Sequence, residues 1–455
     1  MKSIIFFGQV KKSYSQPDET YCKEAESTVI TTDKKKKERI KFKNICDIIF
    51  IVLIVILAVL FVFWVLDDHY SLTTKYNHEV ISHVHEQVHL SLGVEVNSMV
   101  ITWLTLTDLA YDSLTPIVRY GEDESKLNKN VIGITKSFFD LSKTIKRFVH
   151  KVELKNLKPN TRYFYQVGDT KTWSKTFNFK NLDINKNVKA CSFSDMDSTV
   201  NYTILTLQSH IRNNKCDVLV HIGDIAYNLF DNKGKVGDKF MKDIEIIAAY
   251  TPYMVIVGNH DLEGDSYEHY NNIFNMPYDK AHIIDDDHFY SYTFGNVYYI
   301  TLNTQVYVRQ FGFNKNIIIR QFRWLEQKLK YINKIRDKKS WIVIYIHHPI
   351  YCCKSCHTIC DKHVNKDLKD GDNYDFPGLE KILYDNKVDL VVAGHIHAYV
   401  RGYPVYNYTM ETFNKNYYYN PKAPTQIITG VGGSKRFHPQ SIILNKDNFP
   451  YAATK

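Results

Sequence analysis

Cysteine is scarce in this chain, 8 residues in 455, so no disulfide framework defines the fold. Cys22 and Cys46 stand ahead of a long apolar run. Cys352, Cys353, Cys356 and Cys360 crowd into one short stretch, where an oxidising compartment would let some of them pair. Their spacing invites a zinc-knuckle reading, but no matching second Cys-x-x-Cys pair occurs elsewhere to complete it. Charge of one sign is not strongly in excess either. The formal net charge of +9 comes from 58 Lys+Arg against 49 Asp+Glu, and residues 1–47 hold 11 of the basic and 7 of the acidic groups. The remaining excess forms no basic stripe interleaved with aromatics, which argues against a nucleic-acid partner. Residues 1–47 also lack apolar periodicity and read as a basic, disordered, cytosolic tail.

One stretch lacks charge altogether. From Ile48 to Leu66 the sequence IIFIVLIVILAVLFVFWVL, at about 1.5 Å rise per residue, nearly matches a hydrocarbon layer about 30 Å thick. A buried core helix would show polar interruptions at helical period, and none occur. Lys34, Lys35, Lys36, Lys37, Arg39, Lys41 and Lys43 precede the run, whereas Asp67 and Asp68 follow it. The basic flank belongs on the cytosolic side. No Ala-x-Ala-like cleavage site is present, and the run begins far from Met1, so a signal anchor is expected rather than a cleaved signal peptide. The expectation is a single-pass type II membrane protein, held in the membrane by residues 48–66, with everything after them lumenal or extracellular. The sequons at Asn201 and Asn407 are compatible with that topology.

The length predicts two or three domains, and 44% apolar with 24% charged residues is a globular composition. After a linker at 67–83, residues 84–182 carry short alternating strands (VHLSL, SMVITWLTL, PIVRYG, SFFDL, FVHKVELKNL, TRYFYQVG, TWSKTFNF) at β-sandwich spacing. Trp103 is expected as a plug between two sheets, and Tyr163, in a Leu157-Lys-Pro-Asn-Thr-Arg-Tyr163 stretch, as a corner residue. Both roles are structural. Residues 186–455 alternate strand and helix: VKACSFSD, a helix at 203–213, DVLVHIGD, a helix near 237–248, YMVIVGNHD, a hairpin from Tyr290 to Leu302, an amphipathic helix at 317–334, WIVIYIHHP, a helix from Leu379, VDLVVAGHIH and QIITGVGG. Runs such as WIVIYI suit strands buried on both faces, so a layered α/β domain is predicted.

Each buried strand ends in residues able to bind a metal: Asp195; Asp224 and Tyr227; Asn259 with His260; His347 with His348; His395 and His397. Open α/β sheets place ligands outside the carboxyl ends of their strands, so the five endings should share one crevice. A single histidine after a strand is usually an ordinary loop residue. Five consecutive endings, all offering oxygen or nitrogen, form a pattern that chance explains poorly. Carboxylate and phenolate suit a trivalent iron, and imidazole suits Zn²⁺, Mn²⁺ or Fe²⁺. Two carboxylates, one tyrosine, one asparagine and three histidines exceed what one four-coordinate ion needs, so two metals sharing Asp224 as a bridge are expected.

The series Asp195, Gly223-Asp224-Ile-Ala-Tyr227, Gly258-Asn259-His260-Asp261, Ile346-His347-His348-Pro349 and Gly394-His395-Ile-His397 resembles the purple acid phosphatases, within the calcineurin-like metallophosphoesterases. Its most telling mark is Tyr227, three residues after Asp224. The resemblance covers about residues 84–440 and implies a layered metallophosphoesterase β-sandwich flanked by helices, preceded by an all-β fibronectin III-like sandwich; the transmembrane helix expected from the apolar run stands ahead of both. It implies that Asp195, Asp224, Tyr227 and His397 bind Fe³⁺, and that Asp224, Asn259, His347 and His395 bind a divalent zinc, manganese or iron. The implied activity is hydrolysis of phosphate monoesters, with hydroxide drawn from metal-acidified water as nucleophile. His260 is then the first candidate for proton donation to the leaving group. His357 is the second, preferred over His348 because alternation along its strand would aim His348 away from the crevice. Family members often form homodimers, although no local motif here reports one.

Three departures from the family pattern stand out. The first motif, usually Gly-Asp-x-Gly, reads Ser194-Asp195-Met196-Asp197, which is expected to put an extra carboxylate close to the metals. Tyr399-Val400-Arg401 replaces the usual Tyr-Glu-Arg. The chain stops soon after QIITGVGG, omitting a closing segment that the larger members carry, so either a truncated chain or an exposed sheet edge is expected. Two other functions use the same residues differently: a phosphodiesterase or pyrophosphatase of the same fold, and a non-catalytic membrane-anchored scaffold, which would be expected to have lost ligands.

Overall fold

The structure, a computed structural model, describes residues 85–106, 115–197, 199, 201–278, 288–309, 313–352, 362–372, 375–411, 418–434 and 451–453. The tail, the run at 48–66, the linker and His357 lie outside them, as do Cys353, Cys356 and Cys360. Among the described residues no helix is long and apolar enough to cross a membrane.

Two four-stranded antiparallel sheets make up the first part. One runs Glu86–Leu92, Met99–Leu106, Lys146–Leu154, Ile134–Phe139; the other Lys129–Ile132, Ile117–Gly121, Arg162–Gly168, Phe177–Lys180. Between them pack Val88, Leu90, Ile101, Val118, Tyr165 and Phe177 around Trp103, which is 1% exposed. The Tyr163 hydroxyl accepts the backbone N–H of Lys158 at 2.9 Å, so it ties the corner before its strand. The short strand Lys129–Ile132 was not expected. It is an edge strand with exposed side chains, so it has no inward alternation to reveal it.

Three strands of the first of these sheets are largely buried on both faces. The sheet's outer side chains Leu92, Leu104, Phe138 and Val149 join the core of the α/β part. They lie with Phe240, Met241, Ile244 and Ile247 of the helix Lys235–Ala248. At the centre of that seam Arg147 is fully buried, and its guanidinium donates to both carboxylate oxygens of Asp238, at 2.9 and 2.7 Å, and to the Lys233 carbonyl at 2.7 Å.

The α/β part is a sandwich of two sheets with helices outside. The larger runs Tyr290–Phe294, Val297–Thr301, Trp341–Ile346, Leu390–Ala393, Thr425–Thr429, Tyr399–Tyr406, Thr409–Met410, with its four strands from Val297–Thr301 to Thr425–Thr429 parallel. The smaller is parallel and runs Tyr253–Ile256, Val218–Ile222, Ala190–Phe193. The run WIVIYI shows why an uninterrupted apolar strand is needed here. Val343 and Tyr345 join the core between the sheets, whereas Ile342, Ile344 and Ile346 face the helical layer. That layer is led by Lys315–Ile335, where the Asn314 side chain caps the Ile317 N–H at 3.2 Å and Ile318, Trp324, Leu325, Leu329 and Ile332 form the buried stripe. Its helical spacing is what made this element visible in the sequence.

One pairing was not foreseen, and one expectation is corrected. Cys191 and Cys216 form a disulfide joining the starts of two neighbouring strands, a pairing between scattered cysteines that spacing does not reveal. The expected open sheet edge is covered: residues 451–453 run beside Tyr399–Tyr406, with the Tyr403 N–H on the Tyr451 carbonyl and the Ala453 N–H on the Arg401 carbonyl, both at 2.8 Å.

Because Arg147 and Asp238 are buried as a pair, removing one partner strands the other's charge. Arg147→Ala is expected to lower the unfolding free energy by about 3–5 kcal/mol, and the double variant Arg147→Met/Asp238→Leu to recover most of that loss. Denaturant unfolding of the three proteins measures both; a single variant within about 1 kcal/mol of the parent would contradict the account.

Candidate metal centre

Parallel strands bring the predicted donors together at their carboxyl ends. Asp195 follows Ala190–Phe193, Asp224 and Tyr227 follow Val218–Ile222, and Asn259 follows Tyr253–Ile256. From the larger sheet, His347 follows Trp341–Ile346, and His395 and His397 follow Leu390–Ala393. All seven lie in one crevice and fall into two groups. In one, the Tyr227 hydroxyl donates to Asp195 Oδ1 at 3.1 Å and lies 2.5 Å from His397 Nε2, which is 3.3 Å from Asp195 Oδ1. In the other, Asn259 Oδ1 lies 3.1 Å from His347 Nε2 and 2.9 Å from His395 Nδ1. Asp224 sits between, with its Oδ1 3.3 Å from His347 Nε2, and ligating atoms of Asp195, Asp224 and His347 lie within 4.8 Å of one another.

Tight backbone makes this convergence possible. Asp195, Asp224, Tyr227 and His395 all have left-handed φ, at 63°, 55°, 51° and 68°, a conformation that costs a non-glycine residue about 1–3 kcal/mol. Gly223 is required twice over: its φ is 77°, and a β-carbon there would lie 2.6 Å from His347 Nδ1. At Gly258 a β-carbon would meet Asp224 Oδ1 at 2.4 Å. The His347 ring is aimed by its Nδ1, 2.8 Å from the Ile222 carbonyl, which leaves Nε2 for the crevice.

The electrostatics call for cations. Burial alone would raise the Asp195 carboxyl, but the hydrogen bond from His397 and the nearby His347 outweigh it and hold it below the usual carboxylate range. Asp224 is pushed well up, first by burial and then by the charge of Asp195. Burial, with Asp195 and Asp224 beside it, also drives the Tyr227 phenol up. Two carboxylates and a phenol without water cannot all ionise unless positive charge sits among them. The donor set therefore fits a pair of metal ions: Asp195, Tyr227 and His397 on one side, Asn259, His347 and His395 on the other, Asp224 shared.

His260 lies at the edge, with its N–H on Asp224 Oδ1 at 2.9 Å and its ring centroid 4.7 Å from that of Tyr227. His348 departs from the expected direction. Instead of pointing away, its ring packs 4.5 Å from that of His395, and its Nδ1 lies 3.1 Å from Thr304 Oγ1. Burial, then the neighbouring His395 and His347, push its pKa far down, and the ring supports His395 by packing against it. The extra carboxylate of Asp197 belongs to a residue whose backbone pairs with Ala226, beside Tyr227. It accepts the Thr199 N–H at 3.0 Å and hydroxyl at 2.7 Å, closing a local turn. Ser194 turns its hydroxyl onto the Ile222 carbonyl at 2.6 Å. Val400 is buried in apolar core with Ile396, Ala398 and Ile428, so its position gives the crevice no polar support.

Sequence reasoning gave no role to Asp261. Its buried carboxylate accepts the N–H groups of Gly258 at 2.7 Å, Asp224 at 3.0 Å and Ile225 at 3.1 Å, joining two ligand loops. The fourth residue of Gly-Asn-His-Asp was in view, but its partners are distant in sequence.

Two family models match the chain. Residues 85–181 match the family model of the purple acid phosphatase N-terminal domain, and residues 150–399 match that of the calcineurin-like phosphoesterases. The chain is 33% identical over 353 residues to an acid phosphatase type 7 of Homo sapiens, covering 76% of this chain and 78% of that protein. It is 28% identical over 360 residues to purple acid phosphatase 21 of Arabidopsis thaliana, covering 77% and 72%. Among solved structures, a purple acid phosphatase from yellow lupin seeds superposes with a TM-score of 0.62 at 21% identity, over 78% of this chain and 66% of that one, and so shares the fold.

Since Asp261 joins the loops through three backbone donors, Asp261→Ala should cost about 3 kcal/mol or more in the metal-free protein and lower the metal retained on dialysis. Denaturation in chelator, paired with elemental analysis, separates the two effects. Unchanged stability with unchanged metal content would refute the bracing role.

Proposed function

As the chain belongs to the calcineurin-like phosphoesterases and, within them, to the purple acid phosphatases, we propose that this phosphatase hydrolyses phosphate monoesters at a centre of Fe³⁺ and a divalent Zn²⁺, Mn²⁺ or Fe²⁺. The supporting observation is the division of the seven donors. The group containing the phenol and a carboxylate is the harder one and suits the ferric ion; the amide and imidazole group suits the divalent one. When bound, the two ions would supply an acidified water as nucleophile and positive charge for the phosphoryl oxygens.

The protein's own groups do the rest. Tyr227 and Asp195 fix the harder position, and the carbonyl-bound His347 ring holds its Nε2 in place for the other. His260, outside both groups but tied to Asp224 through its N–H, is placed to protonate the departing oxygen. We further propose that residues 48–66 anchor the chain as a type II membrane protein and that the catalytic part faces the lumen or exterior, where Asn407, at an exposed turn, would be glycosylated. Loss of the glycan on Asn407→Gln, read as a shift in gel mobility, tests that topology; an unglycosylated parent chain would count against it.

The purified full-length protein is expected to carry two metal ions per chain, to absorb visible light through a tyrosinate-to-iron band and to hydrolyse p-nitrophenyl phosphate in mild acid. Tyr227→Phe should abolish the band while leaving the circular dichroism unchanged. Undiminished absorption in that variant would refute the iron assignment of Tyr227, and a colourless, metal-free, inactive parent under every metal supplement would refute the reading as a whole.

A further inference from the structure

Asn228 follows Tyr227 directly, with φ of 125°, and its side chain joins two groups. Its Oδ1 lies 2.8 Å from His260 Nδ1, and its Nδ2 donates to Asp231 Oδ2 at 3.0 Å. A carboxylate accepts hydrogen bonds and cannot donate them, so Asp231 commits the amide nitrogen and leaves the amide oxygen toward the ring. His260 Nδ1 must then carry hydrogen, and the ring's other nitrogen, Nε2, exchanges the proton. Asp231 is itself fixed at the start of the helix Lys235–Ala248. Its N–H bonds the Asn228 carbonyl at 3.2 Å, and its carbonyl accepts from Gly234 at 3.1 Å and Val236 at 3.3 Å.

We propose that Asn228 and Asp231 are a positioning pair for His260, setting the tautomer and aim of its ring so that Nε2 delivers the proton to the leaving group. The inference rests on the reading of His260 as the acid. As water-derived hydroxide forms its bond to phosphorus, the bond from phosphorus to the ester oxygen breaks and its electron pair stays on that oxygen. The proton on Nε2 of the imidazolium moves to the same oxygen, leaving a neutral ring protonated at Nδ1. In this role Asn228 and Asp231 act through the His260 ring. An amide without the Asp231 acceptor can turn over and present N–H to Nδ1, which favours the wrong tautomer.

The test exploits leaving-group dependence in the full-length, metal-loaded protein. p-Nitrophenolate departs readily without a proton, whereas ethoxide needs one, so the ratio of kcat on p-nitrophenyl phosphate to kcat on ethyl phosphate reports proton delivery. General acid catalysis is worth roughly 10²–10⁴-fold, so His260→Ala should raise this ratio by about two orders of magnitude. Asn228→Ala should raise it at least about tenfold with both KM values little changed, and the exchanged pair Asn228→Asp/Asp231→Asn, which keeps an oxygen acceptor toward the ring and a donor–acceptor bond between the two side chains, should bring it back. Asp231→Ala should shift the ratio the same way, less strongly, and it decides the matter should Asn228→Ala fail to fold. A ratio unmoved by Asn228→Ala or Asp231→Ala while His260→Ala raises it overturns the positioning pair alone. A ratio unmoved by His260→Ala overturns the acid assignment and the inference together.

Discussion

Asp195 and Asp224 are held together almost without access to water, at 0% and 2% exposure, and like charges in such surroundings repel strongly. Much of the crevice is construction around that contact. Strand ends deliver the two residues from adjacent parallel strands, left-handed backbone turns them inward, and Gly223 and Gly258 remove the β-carbons that would keep the loops apart. Asp261 then adds a third buried carboxyl, itself pushed up by burial and by Asp224, and answers it with three backbone donors. Such an assembly makes physical sense only if cations complete it, and the same chemistry that destabilises the bare site gives it affinity for metal.

Legibility in the sequence followed the range of the interactions involved. The donors were readable because each follows a strand of a parallel sheet, most of them strongly apolar, and strand tips in a parallel sheet must face one way. The double burial of WIVIYI and the helical stripe in Lys315–Ile335 were readable for the same reason, since local periodicity reports which face meets the core. What escaped depends on contacts across long stretches of chain. Cys191 with Cys216, Asp261 with the Asp224 loop, and Asn228 with His260 are each 25 or more residues apart.

The misjudged direction of His348 has a narrower cause. Alternation of side chains holds only while the backbone stays extended in the sheet. The strand Trp341–Ile346 ends one residue before the histidine pair, so the rule had no hold on His347 and His348, whose rings stand at 88° to each other with centroids 5.0 Å apart. At Asp197 the local bond was missed rather than the location: Asp bonds readily to the N–H two residues on, and here it does so with Thr199, while its backbone pairs with Ala226 beside Tyr227.

Among the described residues the all-β part supplies none of the seven donors, yet the geometry gives it a share in the site. Arg147 reaches from its sheet to Asp238 and to the Lys233 carbonyl. Lys233 lies in the turn that runs from Asn228 and Asp231 to Gly234 before the helix Lys235–Ala248. A β-carbon at Gly234 would meet Arg147 Nη2 at 2.6 Å and His269 Nε2 at 2.5 Å, so the turn is pinned against the neighbouring domain as closely as backbone permits. His269 is bonded in turn to Glu263 at 2.7 Å, two residues beyond Asp261. Both loops that flank His260 are therefore braced from the seam. A buried ion pair is an inefficient way to add stability, since apolar residues of similar volume often do as well or better. It is an effective way to fix a register, because a guanidinium that must satisfy two carboxylate oxygens and a carbonyl at once allows few alternative arrangements.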